Sequence, residues 1–149
     1  MKISIFGLGY VGTVSAGCLA NDGHDVTGVD PVRTKVDLIN QGQSPIVEAD
    51  IASLISTTVE SGHLRATDDA TEAVHRTDLS FVCVGTPSQP NGNLDLRHVR
   101  RVCEQIGAAN QDPEFKQVPA RMRGDQVIVD FVRIANRRSE EGKYDGICW

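Results

Sequence analysis

The stretch Lys2-Ile3-Ser4-Ile5-Phe6-Gly7-Leu8-Gly9-Tyr10-Val11-Gly12 decides the fold. Residues 2–6 are a short β-prone run, Gly7, Gly9 and Gly12 follow in G-x-G-x-x-G spacing, and residues 13–21 are small and helix-compatible. Strand, glycine turn and helix therefore stand end to end. Gly23 stops the helix, and residues 24–30 read as a second strand finishing on Asp30. Glycine triplets arise by chance in a chain with 14 glycines, but this one has the strand before it, the helix after it and the acid beyond it. Residues 7–30 form one βαβ unit.

That context assigns chemistry to each position. Gly7 permits the tight turn, Gly9 lets the backbone approach a pyrophosphate, and Gly12 lets the helix lie close on the sheet. The N–H groups at the helix start then face the phosphates. Asp30 would accept hydrogen bonds from the ribose 2′- and 3′-hydroxyls. Its carboxylate would repel a 2′-phosphate, which argues for NAD over NADP, although Arg33 and Lys35 nearby weaken that argument.

Further along, residues 32–40 and 48–59 read as helices with a loop at 44–47, 64–67 as a short strand and 69–75 as a short helix. Residues 79–84 are a continuous apolar run bounded by Asp78 and Gly85-Thr86-Pro87, the pattern of a strand buried on both faces. The loop after it lies at a carboxyl end of the sheet, so Gly85 and Thr86 could line the ligand cleft. Asp95 can cap a helix running to about Asn110, with Leu96, Val99, Cys103 and Ile106 as its apolar face. Residues 126–132 are strand-like again, and 133–149 read as polar and loose. Alternating strands and helices define an α/β, Rossmann-like, doubly wound parallel sheet in a single domain.

Composition agrees. The chain has 149 residues, 40% hydrophobic and 23% charged, enough for one ordinary core without disulfides or a structural metal. Its net charge of −5, with no Lys/Arg stripe, leaves no electrostatic footprint for nucleic acid. No apolar run is long enough to span a membrane. Residues 1–115 hold 8 basic and 15 acidic side chains, whereas 116–149 hold 7 and 5, so the tail differs from the body. Cys18, Cys83, Cys103 and Cys148 show no C-x-x-C spacing; a metal site is not expected, and with Cys18 and Cys83 in apolar stretches the pattern suits the reducing cytoplasm. A lipoprotein signal ending at Cys18 is the rival reading of the N-terminus, but Gly7 and Gly9 break its apolar core. The four histidines fall in turns or on polar faces, and none is paired by spacing with a Ser, Cys or acid.

Several separate motifs carry a resemblance. The opening block 1–30, then Lys35-Val36-Asp37-Leu38-Ile39-Asn40-Gln41-Gly42, Ser44-Pro45-Ile46-Val47-Glu48, Phe81-Val82-Cys83-Val84-Gly85-Thr86-Pro87-Ser88, Asn91-Gly92 and Leu94-Asp95-Leu96 resemble the NAD-binding end of the UDP-glucose/GDP-mannose dehydrogenase family. Within that family the likeness is to the GDP-mannose branch that serves alginate biosynthesis. Matched residue by residue, the resemblance implies NAD contacts at Tyr10, Val11, Asp30, Lys35 and Thr86. It also implies oxidation of a primary alcohol of a nucleotide sugar to a carboxylate in two NAD-dependent steps, the second needing a cysteine thiolate. Residues 127–133 and 146–149 resemble the last part of the family's nucleotide-sugar-binding domain.

The family's middle, with its nucleophilic cysteine motif, assisting lysine and acid, and dimerising helix, has no counterpart here. Asp112-Pro113-Glu114-Phe115 only echoes one of its segments, and Cys148 matches the non-catalytic C-terminus. No catalytic residue is assigned. The expected organisation is a NAD-binding domain over 1–115 joined to a remnant over 116–149, in which 126–132 could insert beside 79–84 as a fifth strand in the order 3-2-1-4-5. Three readings stand: a piece of a nucleotide-sugar 6-dehydrogenase, an inactive dinucleotide-binding module, or an internally deleted chain whose sheet edge takes a partner such as a full-length relative. GDP-mannose would bind only if another chain supplied the missing site.

Overall fold

The computed structural model describes residues 1–90, 92–109, 127–130 and 143–146. Four parallel strands, β1 (Lys2–Phe6), β2 (Asp25–Val29), β3 (Leu64–Thr67) and β4 (Leu79–Val82), form one sheet in the order β3-β2-β1-β4. The helices joining them are α1 (Tyr10–Asn21), α2 (Arg33–Asn40), α3 (Ala49–Glu60) and α4 (Ala70–His75), and α5 (Arg97–Ala109) follows β4. This is the expected doubly wound α/β architecture.

Strand β1 is buried from Ile3 to Phe6 because it has a strand on each side and helices on each face. Its alternation divides the core. Ile3 and Ile5 join Leu8, Ala16, Ala20, Val26, Val36, Ile39, Ile55 and Leu64 on one face, whereas Phe6 joins Val29, Ala70, Ala73, Val74 and Val102 on the other. Ser4 is a buried polar residue on the second face, and its hydroxyl is satisfied: it lies 2.7 Å from Ser80 Oγ and receives the Thr77 hydroxyl at 3.1 Å. Thr77 is the link between β1 and the end of α4. At the other edge Asn40 acts in place of a neighbouring strand. Its side-chain amide donates to Ala66 O at 2.9 Å and accepts from Ala66 N–H at 2.8 Å, so one residue pairs both backbone groups of a β3 position.

Glycine is required where helices close on the sheet. A Cβ on Gly17 would stand 2.9 Å from Leu54, and this is the contact that lets α3 cross α1. Gly28 in β2 lies beneath Leu8, whose Cδ2 would be 2.7 Å from any Cβ there. Leu8 is fully buried as a result.

Several expectations differ from the structure. The run 79–84 is not buried on both faces: its strand ends at Val82, and Leu79, Phe81 and Val82 are 42%, 43% and 40% exposed. It is the edge of the four-stranded sheet, and among the described residues only β1 pairs with it. The fifth strand does not join it. Instead β5 (Val127–Asp130) pairs in parallel with β6 (Lys143–Gly146) in a separate two-stranded sheet, which also places a strand in the segment read as loose. Helix α1 begins at Tyr10, not at Thr13, because Gly12 can enter its first turn against Gly7. The apolar face of α5 runs through Val102, Ile106 and Ala109, so Ile106 packs on the core as expected whereas Leu96 is exposed. Cys18 is exposed on α1, outside the apolar surroundings expected for it. The segments 110–126, 131–142 and 147–149, including Glu114 and Cys148, lie outside the described residues.

Candidate dinucleotide site

All four strands end at the same side of the sheet, and the glycine turn sits there between β1 and α1. Gly7 has a φ of +97°, a left-handed conformation that favours glycine. A Cβ on it would lie 2.9 Å from Cys83 O and 3.1 Å from Val84 Cγ1, so the turn is wedged against the chain leaving β4. Gly12 is more constrained still, since a Cβ there would run into the carbonyl oxygen of Gly7. The turn thus closes on itself.

Gly9 differs from both. Its φ of −83° is open to any residue, and a Cβ on it would meet nothing within 4 Å. Neither conformation nor internal packing explains a glycine here. It stands at the N-cap of α1, where Thr13 N–H donates to its carbonyl at 2.9 Å and no side chain caps the helix. An uncapped helix start behind a residue without a side chain leaves amide donors and room for a group from outside the chain. These residues fit a dinucleotide pyrophosphate.

Asp30 follows β2 and is 4% exposed. Its Oδ2 accepts from Leu8 N–H at 2.8 Å and from Lys35 Nζ at 3.0 Å, while Oδ1 accepts from Val32 N–H at 2.9 Å. A buried carboxylate is costly unless hydrogen-bonded and paired, and this one has both kinds of partner. It ties the glycine turn directly to the end of β2 and the start of α2. The structure places Asp30 and Lys35 together beside the glycine turn, with Leu8 and Val32, which the sequence does not single out because their contribution is a backbone N–H. The one available signal was Gly28, a strand glycine that makes room for Leu8.

Tyr10 and Val11, 58% and 63% exposed, stand at the solvent edge of the helix start. The Tyr10 hydroxyl donates to Glu48 Oε1 at 2.9 Å, and that carboxylate holds the phenol above its ordinary titration range. Thr86 is exposed two residues beyond Val84, whose side chain faces Gly7. The loop carrying it folds back on itself. Gln89 N–H donates to Asn93 O at 2.7 Å, Asp95 N–H to Pro87 O at 2.8 Å, and Asp95 grips the Arg97 guanidinium through both carboxylate oxygens. The Arg97 side chain and its backbone N–H hold the Asp95 carboxyl down to about 2. Cys83 is half-buried, and burial pushes its thiol up, away from the thiolate a nucleophile needs.

Comparison with known proteins agrees with this geometry. Residues 1–118 match the model of the UDP-glucose/GDP-mannose dehydrogenase family, NAD binding domain. Over 112 residues the chain is 55% identical to GDP-mannose 6-dehydrogenase of Azotobacter vinelandii, an alignment covering 75% of this chain and 26% of that enzyme. It is 43% identical over 109 residues to UDP-glucose 6-dehydrogenase of Rhizobium meliloti, covering 72% and 25%. Among solved structures, a GDP-mannose dehydrogenase from Pseudomonas aeruginosa in a ternary complex superposes with a TM-score of 0.75 at 49% identity, over 87% of this chain and 28% of that one. The UDP-glucose dehydrogenase of Pyrobaculum islandicum gives 0.70 at 33% identity, over 86% and 27%. The chain belongs to the UDP-glucose/GDP-mannose dehydrogenase family, as its NAD-binding domain, and NAD is the cofactor of that domain. It spans about a quarter of the length of the curated relatives it matches.

Two outcomes follow from the turn and its neighbouring loop. Gly12→Ala should destabilise the fold by roughly 3 kcal/mol, because backbone cannot yield as a side chain does, whereas Gly9→Ala should leave thermal stability within about 0.5 kcal/mol and weaken NAD by at least about ten-fold. Denaturant melts and calorimetric titration separate the two effects. The Asp95 carboxyl lies below its ordinary 3.8 when folded, so its contribution is full above that pH and drains away as pH falls toward 2. In melts between pH 5 and 2, Asp95→Asn should show a shallower acid decline than the unsubstituted chain.

Proposed function

We propose that this chain is the dinucleotide-binding part of a GDP-mannose 6-dehydrogenase, holding NAD on the glycine turn and lacking the residues that complete the oxidation. The observation that carries the reading is the pairing of an unfilled glycine at the head of α1 with a buried carboxylate at the end of β2. Gly7, Gly9 and Gly12 shape the turn, and the amides of Tyr10 and Val11 meet the phosphates. Asp30 takes the adenosine ribose hydroxyls beside Lys35, and Thr86 flanks the nicotinamide end of the cleft. When bound, NAD supplies the hydride acceptor for oxidation of an alcohol carbon. The chain's own part is to orient it.

The half-buried Cys83, with its thiol pushed up by burial, supports a structural role for that residue rather than a nucleophilic one. GDP-mannose would then require residues from another chain, the product being GDP-mannuronate for alginate biosynthesis. The exposed apolar edge Leu79, Phe81 and Val82 favours a partner such as a full-length relative, since an unprotected edge strand is a template for pairing. The exposed Cys18 and half-buried Cys83 thiols are compatible with the cytoplasm. The division into a domain over 1–115 and a remnant over 116–149 belongs to the same proposal.

Titration of the purified chain with NAD, beside an assay for NADH formation with GDP-mannose and UDP-glucose, tests it. Saturable NAD binding without turnover is the expected result. Turnover by the chain alone would refute the view that the residues absent from it are indispensable.

A further inference from the structure

Two cations border Asp30, and the structure treats them differently. Lys35 Nζ lies 3.0 Å from the Asp30 carboxylate, with two thirds of its side chain covered. Arg33 opens α2 three residues past Asp30, yet its guanidinium turns to Asp68, NH1 standing 3.9 Å from Asp68 Oδ2. Asp68 follows β3, the strand beside β2. Val29 pairs in register with Thr67, and Asp30 N–H donates to Thr67 O at 3.3 Å, so Asp30 and Asp68 leave adjacent strand ends at the same rim.

An arginine just past the second strand is the group that accommodates a ribose 2′-phosphate, because its planar fork matches phosphate oxygens two at a time. This chain has such an arginine and sets a carboxylate against it. The Arg33 and Asp68 side chains are 80% and 53% exposed, and an ion pair so open to water is weak and screened by salt. Arg33 is therefore restrained, and only lightly.

We propose that Asp68 is a specificity-determining residue that holds Arg33 away from the adenosine ribose, so that the rim selects NAD, and that Arg33 is a latent ligand for the 2′-phosphate of NADP. This rests on the reading of Asp30 as the ribose-binding acid. Asp68 acts on the free ribose only through Arg33, whereas Asp30 meets the sugar itself. Removing the Asp68 charge releases the arginine without disturbing the Leu8 and Val32 amides or Lys35.

The test is calorimetric titration of the full chain with NAD and with NADP, for the unsubstituted protein, Asp68→Asn, Asp68→Glu and Asp68→Asn combined with Arg33→Ala. Asp68→Asn should tighten NADP by about three- to five-fold, the most that release of an ion pair so exposed to water returns, while NAD changes less than about two-fold. The gain should vanish in the double variant, shrink in high salt and be missing from Asp68→Glu. An unchanged NADP affinity in Asp68→Asn overturns the proposal, as does a gain that survives loss of Arg33, since Asp68 would then act by simple repulsion. Because both side chains are exposed, the variants should melt with the unsubstituted chain. If that chain binds NAD and only the NADP gain fails, this inference alone falls; if it binds neither dinucleotide, the reading of the glycine turn and Asp30 falls with it.

Discussion

A single carboxylate joins the parts of this site. Asp30 accepts the N–H of Leu8 from the glycine turn and the N–H of Val32 from the start of α2, and it pairs with Lys35 one turn further on. Without it the turn would be tied to β2 only by the bond from Gly7 N–H to Val29 O, 2.7 Å long. The turn itself has no slack: Gly12 rests on the Gly7 carbonyl, and Gly7 rests on the chain leaving β4. Three strand ends are thereby fixed to one another at the sheet's carboxyl side, and the space left over lies in front of Gly9. Preorganisation of this kind lowers the ordering cost when a ligand arrives.

The same arrangement explains how much could be read in advance. Spacing and context mark Gly7, Gly9, Gly12 and Asp30 because each position answers to a local demand: a positive φ at Gly7, open space at Gly9, a close contact at Gly12 and a strand end at Asp30. The strand order followed from alternation and handedness. What sequence could not supply was nonlocal. The apolar run 79–84 looks the same whether a strand lies on one side of it or on both, and among the described residues β1 alone pairs with it. The apolar pattern of 127–130 likewise cannot say which strand it pairs with, and Lys143–Gly146, polar in composition, is its partner. Cys18 was misread because α1 is small and apolar nearly all round, so composition does not mark its outward face.

The chain spans about a quarter of the length of the curated relatives it matches. Among the described residues the glycine turn, the start of α1 and Asp30 are joined by hydrogen bonds and close packing. Nothing comparable is assembled for chemistry among the described residues: Cys83 is held as a thiol by burial, and no group of three His, Cys, Asp or Glu side chains converges as a metal site. No described helix is long and apolar enough to cross a membrane. The match to the family's NAD-binding domain is what these residues share with their relatives.

Backbone amide spectra recorded during addition of NAD report most directly on that central claim. The account predicts that the resonances of Gly9, Tyr10, Val11 and Gly12, with those of Leu8 and Val32 beside Asp30, shift together and saturate, while Lys2, His63 and His75 at the amino end of the sheet stay in place. Shifts confined to that opposite end, or spectra unchanged by the dinucleotide in a folded sample, would contradict it.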